Sequence, residues 1–348
     1  MSDNSFTPIE SVGRDGLIKE IEQLTGHQHP DLIRGIGDDA AVIDGGGPYA
    51  MILTSESFVE GVDFDLTYTP LRHLGYKVVS AVISDVLAMN AKPSILLINI
   101  AIPNRISKEM IKELYEGIDK AGKDYNIQVA GGDITASRGP SMIQVTAYGR
   151  TKKENVVYRS GAQIDDAICV SGELGGALAG LKVLLREKKK WLDSGEDTFH
   201  PDLSEYEEVV RRQLLPVARL DVIELMETER IAPTAMTDLS QGISHDLNAL
   251  LTTSKVGGRI YEAALPINMN SRKVADELNE DIYRYALYGG EDYELLFTLP
   301  EDEINQLLDK AVDITIIGKV VPEEEGCMVQ TFSGKEYALE SVISSNDA

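Results

Sequence analysis

Cysteine is nearly absent from this sequence, and so is any excess of positive charge. Only Cys169 and Cys327 occur among 348 residues, far apart in the chain. That argues against a disulfide framework and against a cysteine-built metal centre, and it points to a cytoplasmic protein. The 33 basic side chains face 57 acidic ones, a formal charge of −24. Such a surface repels nucleic-acid backbones and anionic lipid, so neither is expected as a partner. No apolar run approaches the roughly 20 residues that a bilayer span needs. The familiar catalytic signatures are missing too: no GxxxxGKS/T phosphate loop and no HExxH, HRD, DFG or CxxC string.

What is there is an ordinary globular mixture, 43% hydrophobic and 26% charged, enough to build real cores. The length suits two domains. Strand-like and helix-like periodicities alternate, which is the mark of an α/β chain. Apolar residues Leu74, Val78, Val82 and Val86 predict a helix over 70–90, opened by Pro70. Residues 49–58, 94–102, 142–150 and 167–171 read as strands, and 16–24, 107–125, 175–188, 203–214, 217–227 and 244–254 as helices. The stretch 151–166 is polar and turn-rich. A boundary near residue 155 therefore divides an N-terminal domain, 1–155, from a C-terminal one, 156–348. Residues 189–201 read as a surface insertion.

Carboxylates beside small or flexible residues recur at the ends of these elements: Gly37-Asp38-Asp39, Thr54-Ser55-Glu56, Ser84-Asp85, Gly132-Asp133, Thr237-Asp238 and Gly290-Glu291-Asp292. Glycine lets backbone approach a ligand, and carboxylate and hydroxyl oxygens are hard donors suited to Mg²⁺. Asp85 falls inside the apolar pattern of its helix, where an unpaired carboxylate is costly. The joint reading is a Mg²⁺-dependent enzyme that handles phosphates. Two other motifs compete for attention. Residues 171–176 (SGELGG) form a strand-to-helix glycine turn that could hold phosphate or merely pack. Residues 238–242 (DLSQG) resemble a nucleophile elbow, but Asp stands where the strained turn wants glycine.

Taken in order, the strings GIGDDAAV (35–42), SDVLAMNAKP (84–93), AGGDIT (130–135), YRSGA (158–162), TDLSQGISHDL (237–247) and YGGEDYELLFT (288–298) resemble the thiamine-monophosphate kinases, members of the aminoimidazole ribonucleotide synthetase-like superfamily. The resemblance implies a two-domain α/β fold of mixed sheets, whose N-terminal domains pair in a homodimer as a β-barrel-like sheet. It implies ATP as co-substrate, thiamine monophosphate as acceptor and several Mg²⁺ ions. By motif position it implies metal ligands at Asp39, Thr54, Ser55, Glu56, Asp85, Asp133, Asp238 and Gln241. Gly132, Asp133, Arg159 and Ser240 would meet the nucleotide, with Tyr125 a candidate for adenine. Asp85, Asp133 and Arg159 would carry the catalysis. Asp63, Glu291 and Tyr337 would meet the acceptor.

Departures from the family pattern gather at the acceptor end. Glu56 replaces the usual Asp, Asp63 the usual His, and Gln241 the usual Asp. The aromatic tail is reduced to Tyr337. These leave open a kinase for another phosphomonoester, or a nucleotide- and metal-binding member that has lost turnover.

Overall fold

A computed structural model describes residues 7–27, 29–308, 310 and 313–340. Its first half holds helix α1 (Gly13–Leu24), strands β1 (Leu32–Arg34), β2 (Ala41–Asp44) and β3 (Tyr49–Val59), helix α2 (Leu71–Ala88), strand β4 (Lys92–Ile102), helix α3 (Lys108–Asp124), and strands β5 (Gln128–Ala136) and β6 (Met142–Lys152). The strands form one six-stranded sheet in the order β1-β2-β3-β6-β4-β5. All neighbours are antiparallel except β4 and β5. The sheet of a single chain is open, with β1 and β5 at its edges.

The second half opens with β7 (Ala167–Ser171) and α4 (Gly176–Ser194), followed by α5 (Glu207–Leu214), α6 (Leu220–Glu229), β8 (Ala235–Asp238), α7 (Ile243–Ser254) and β9 (Gly257–Tyr261). It closes with α8 (Met269–Leu278), α9 (Ile282–Tyr288), β10 (Leu295–Leu299), α10 (Glu301–Leu308), β11 (Ile314–Val321), β12 (Cys327–Gln330) and β13 (Glu336–Ala338). A seven-stranded sheet results, in the order β13-β12-β9-β11-β7-β10-β8. The segment expected as an insertion begins instead as helix: α4 runs on to Ser194 and stops at Gly195, whose φ of +72° ends it. The residues KKWL sustain the helix, and Trp191 then packs edge-on against Phe199.

Helix α2 explains how the two sheets are held together. Its apolar residues exceed a single stripe because the helix is buried nearly all round. One side meets the six-stranded sheet at Ile98 and Val145, and the largest core continues to Met236 and Phe297 of the second sheet. Any polar group on α2 that faces this seam must therefore find a partner inside the molecule.

Candidate active site

Strand alternation decides which side chains reach the seam. On β3, Ala50 and Ile52 are buried toward α2, and Thr54 and Glu56 continue that face. Thr54 Oγ1 donates to Asp85 Oδ2 at 2.6 Å. Asp238 ends β8, and Asp39 follows Gly37, whose φ of +107° turns the loop before β2. One oxygen from each of Asp39, Asp85 and Asp238 lies within 4.8 Å of the other two.

This convergence is electrostatically unfavourable as it stands. Asp39 and Asp238 are buried. Asp39 Oδ2, Glu56 Oε2 and both carboxylate oxygens of Asp238 have no hydrogen-bond partner. Burial pushes Asp85 and Asp238 well above the usual carboxylate range, and each also feels the negative charges around it. Burial likewise raises Glu56 to about 7, against the pull of Arg14 and with the help of Glu291 and Asp63. Orphaned, hard oxygen donors at this spacing fit a divalent cation such as Mg²⁺, which would relieve both the desolvation and the repulsion.

Arg159 supplies part of the compensation. Its Nε donates to Asp39 Oδ1 at 3.0 Å, and a second guanidinium nitrogen reaches the same oxygen. Thr237 Oγ1 donates to it as well, at 2.8 Å. The backbone N–H of Arg159 donates to Asp38 at 3.0 Å, and Arg34 Nε does so at 3.1 Å.

The expected metal ligands do not form one set. Ser55 points to the opposite face of the sheet, 3.0 Å from Thr146 Oγ1, and accepts from Gln144 Nε2 at 3.1 Å. Asn99 Nδ2 donates to Gln144 Oε1 at 3.1 Å, and Asn99 stands in register with Asp133 on edge strand β5. Ser55 and Asp133 thus share the outer face. Asp133 is exposed and away from the Asp39–Asp85–Asp238 cluster. Gly132 needs no ligand to explain it: a Cβ there would fall 1.7 Å from the Ile98 carbonyl oxygen.

Other assignments are corrected outright. Tyr125 is a core residue and not an open adenine platform. It is buried, its hydroxyl accepts from the Ala218 N–H at 2.9 Å, and Tyr76 lies beside its ring. Tyr337 sits on edge strand β13 opposite Val329, packed against the second core. It does not line the cavity of about 250 Å³ described below. The glycine turn at 171–176 is not a free phosphate cradle, because Asp292 accepts from Gly175 N at 2.7 Å and Ala177 N at 3.1 Å. Ser240 and Gln241 lie on the turn leaving β8. The Ser240 carbonyl accepts from Glu291 N at 2.9 Å, and the Gln241 N–H donates to Asp246 at 3.0 Å.

Asp63 and Glu291, expected together, are together. They line a cavity of about 250 Å³ with Phe64, Tyr68, Lys77 and Gln213. Burial raises the Asp63 carboxyl, although its Oδ2 accepts from Val59 N at 2.7 Å. A larger cavity of about 580 Å³ lies by Arg212, Arg219 and Glu294. Arg219 and Glu294 already pair there at 2.8 Å, and none of the three clustered aspartates lines it. Sequence reasoning missed Lys77, Gln213 and Asp246. The signal for Lys77 was slight: a lysine directly before the apolar run Val78-Val79 of α2.

Residues 37–151 match the family described as AIR synthase related protein, N-terminal domain, and residues 163–329 match its C-terminal domain. A thiamine-monophosphate kinase of Bacillus subtilis is 32% identical over 87% of this chain and 90% of its own length. One of Aquifex aeolicus is 34% identical over 92% of this chain and 95% of its own. The solved structure of AaThiL complexed with AMPPCP and TMP superposes with a TM-score of 0.81 at 30% identity, over 95% of this chain and 97% of that one.

Proposed function

The chain belongs to the thiamine-monophosphate kinase family, and we propose that it transfers the γ-phosphoryl group of ATP to thiamine monophosphate, giving thiamine diphosphate and ADP. The observation that carries the reading is the convergence of Asp39, Asp85 and Asp238, joined through the charge of Glu56 to Asp63 and Glu291, which line a cavity of their own. AMPPCP, the ATP analogue bound by AaThiL together with TMP, supports ATP as donor.

The acceptor phosphate is itself the nucleophile. Its second pKa lies near 6, so it is ionised at neutral pH and needs no general base. The difficulty is repulsion between two polyanions. Asp39, Asp85 and Asp238, with Thr54 and Glu56, would hold Mg²⁺, which when bound supplies positive charge against the phosphate oxygens. Arg159 fixes Asp39 in place and brings its own positive charge to the cluster. Arg159, bonded to Asp39, and Ser240, two residues after Asp238, are the proposed contacts of the nucleotide phosphates at the cluster; Ser55, Gly132 and Asp133, on the outer face, are proposed for the rest of the nucleotide. Gln241 is retained as an outlying metal-side oxygen. Asp63 and Glu291 address the acceptor, whose thiazolium ring is cationic.

The same proposal includes a homodimer, since the outer face exposes Leu53, Ile95 and Leu97 around this polar row. It places the domain boundary near residue 155, between the last strand of one sheet and the first of the other. It places the protein in the cytoplasm; no helix among the described residues is long and apolar enough to cross a membrane. The test is chromatography of thiamine diphosphate from reactions with ATP and Mg²⁺, with and without thiamine monophosphate. Acceptor-dependent product supports the reading, and ADP release without thiamine diphosphate contradicts it.

A further inference from the structure

Glu291 is held in an unusual way. It is a non-glycine residue with φ +64°, in the left-handed region, and Tyr293 two residues on has φ +50°. Such a backbone persists only where its surroundings over-determine it. Here the Glu291 N–H donates to Ser240 O and the Tyr293 N–H to Leu239 O, both at 2.9 Å. The side chain is fixed as firmly. Lys77 Nζ donates to Glu291 Oε2 at 3.0 Å, and Gln213 Nε2 donates to the same oxygen at 2.8 Å.

Both donors are drawn from the interior. The Lys77 side chain is 4% exposed and Gln213 is 5% exposed, whereas the Glu291 side chain keeps 29%. They come from different halves of the chain, Lys77 from α2 and Gln213 from α5. A buried lysine is expensive unless a carboxylate meets it. This one pairs with Glu291, at the wall of the acceptor cavity.

We infer that Lys77 and Gln213 are positioning residues that clamp one oxygen of Glu291, so that the other is presented to a hydrogen-bond donor of the acceptor. This rests on the kinase reading above. Clamping does two things at once. It offsets the Glu291 charge, so that an anionic acceptor is tolerated next to a carboxylate. It also removes the rotamer freedom that Glu291 would otherwise lose on binding. Because the donors lie on separate halves, the acceptor cavity is completed only when the halves are docked.

The test is steady-state kinetics of Lys77→Met, which keeps the length and removes the donor, beside Lys77→Gln and Gln213→Leu. Losing a charged hydrogen bond at the clamp should raise the acceptor KM about tenfold in Lys77→Met. The ATP KM should stay within about twofold, since Lys77 pairs with Glu291 at the acceptor cavity. Lys77→Gln, which restores one N–H donor, should recover part of the loss. Gln213→Leu should shift the acceptor KM in the same direction, and it carries the test if Lys77→Met does not fold. In the double variant with Glu291→Gln, the acceptor effects should be less than additive. An unchanged acceptor KM, or equal rises in both KM values, overturns the inference while leaving the kinase reading intact. A wild-type enzyme that forms no thiamine diphosphate overturns the kinase reading itself, and the inference with it.

Discussion

The two faces of the six-stranded sheet carry the same kinds of residue to different ends. On the inner face, Thr54 and Glu56 join Asp39, Asp85 and Asp238 in a buried seam, closed by the second half of the chain. On the outer face, Ser55, Gln144, Asn99 and Asp133 make a polar row that nothing in the single chain covers. Three consecutive residues, Thr54-Ser55-Glu56, are split between the two by the period of the strand. Position on the sheet thus separates what a motif would lump together. The inner set is desolvated and orphaned, which suits tight cation binding. The outer set is exposed in the single chain, which suits a ligand that arrives with its own charge.

The largest effect is expected on the inner face. Asp85→Asn should lower turnover by about a thousandfold or more, because removing one anion from the cluster removes charge stabilisation at the reacting phosphates. Its far-ultraviolet circular dichroism should match wild type, since the substitution also removes a buried like-charge conflict. Undiminished turnover in Asp85→Asn would break the distinction between the faces. On the outer face, Asp133→Asn should raise the ATP KM about tenfold and leave the acceptor KM unchanged, as expected for loss of one charge-assisted contact. An unchanged ATP KM, or an acceptor effect of equal size, would remove Asp133 from the nucleotide.

A smaller effect concerns pH. The folded-state pKa of Glu56 is raised from an ordinary 4.5 to about 7. Its contribution to stability is therefore present below about pH 4.5 and is lost as the pH rises through 7. Without metal, the thermal midpoint should fall by about 3 °C or more between pH 5.5 and 8. Saturating Mg²⁺ should abolish most of that fall, because a bound cation favours the ionised carboxylates. Scanning calorimetry with and without Mg²⁺ measures this directly. A fall of equal size in both conditions would detach Glu56 from the metal.

Much of this arrangement was legible in the sequence. The carboxylates of the inner cluster announce themselves as acids beside glycine, serine or threonine at element ends. Asp85 does so most clearly, because it interrupts an apolar helix. The split of residues 54–56 was also legible, since Ala50 and Ile52 fix the phase of β3, but a motif read as a triplet hides it. Lys77 was harder: lysines on helices are ordinarily solvated, and this one is interior because α4, α5 and the turn at Gly290-Glu291 pack around it from the second half of the chain. Tyr125 was misjudged because aromaticity signals a flat surface without saying whether protein or ligand covers it. The turn at 171–176 read as a vacant helix start. Its occupant, Asp292, comes from more than a hundred residues away, which local patterning does not disclose.

The central claim is that Asp39, Asp85 and Asp238 form a divalent-cation site built into the fold. The most direct measurement is Mn²⁺ binding by electron paramagnetic resonance, without nucleotide, in wild type and in Asp85→Asn. Wild type is expected to bind Mn²⁺ in competition with Mg²⁺, with an affinity about tenfold or more lower in Asp85→Asn. Equal binding by the two proteins, or none by wild type, would contradict it.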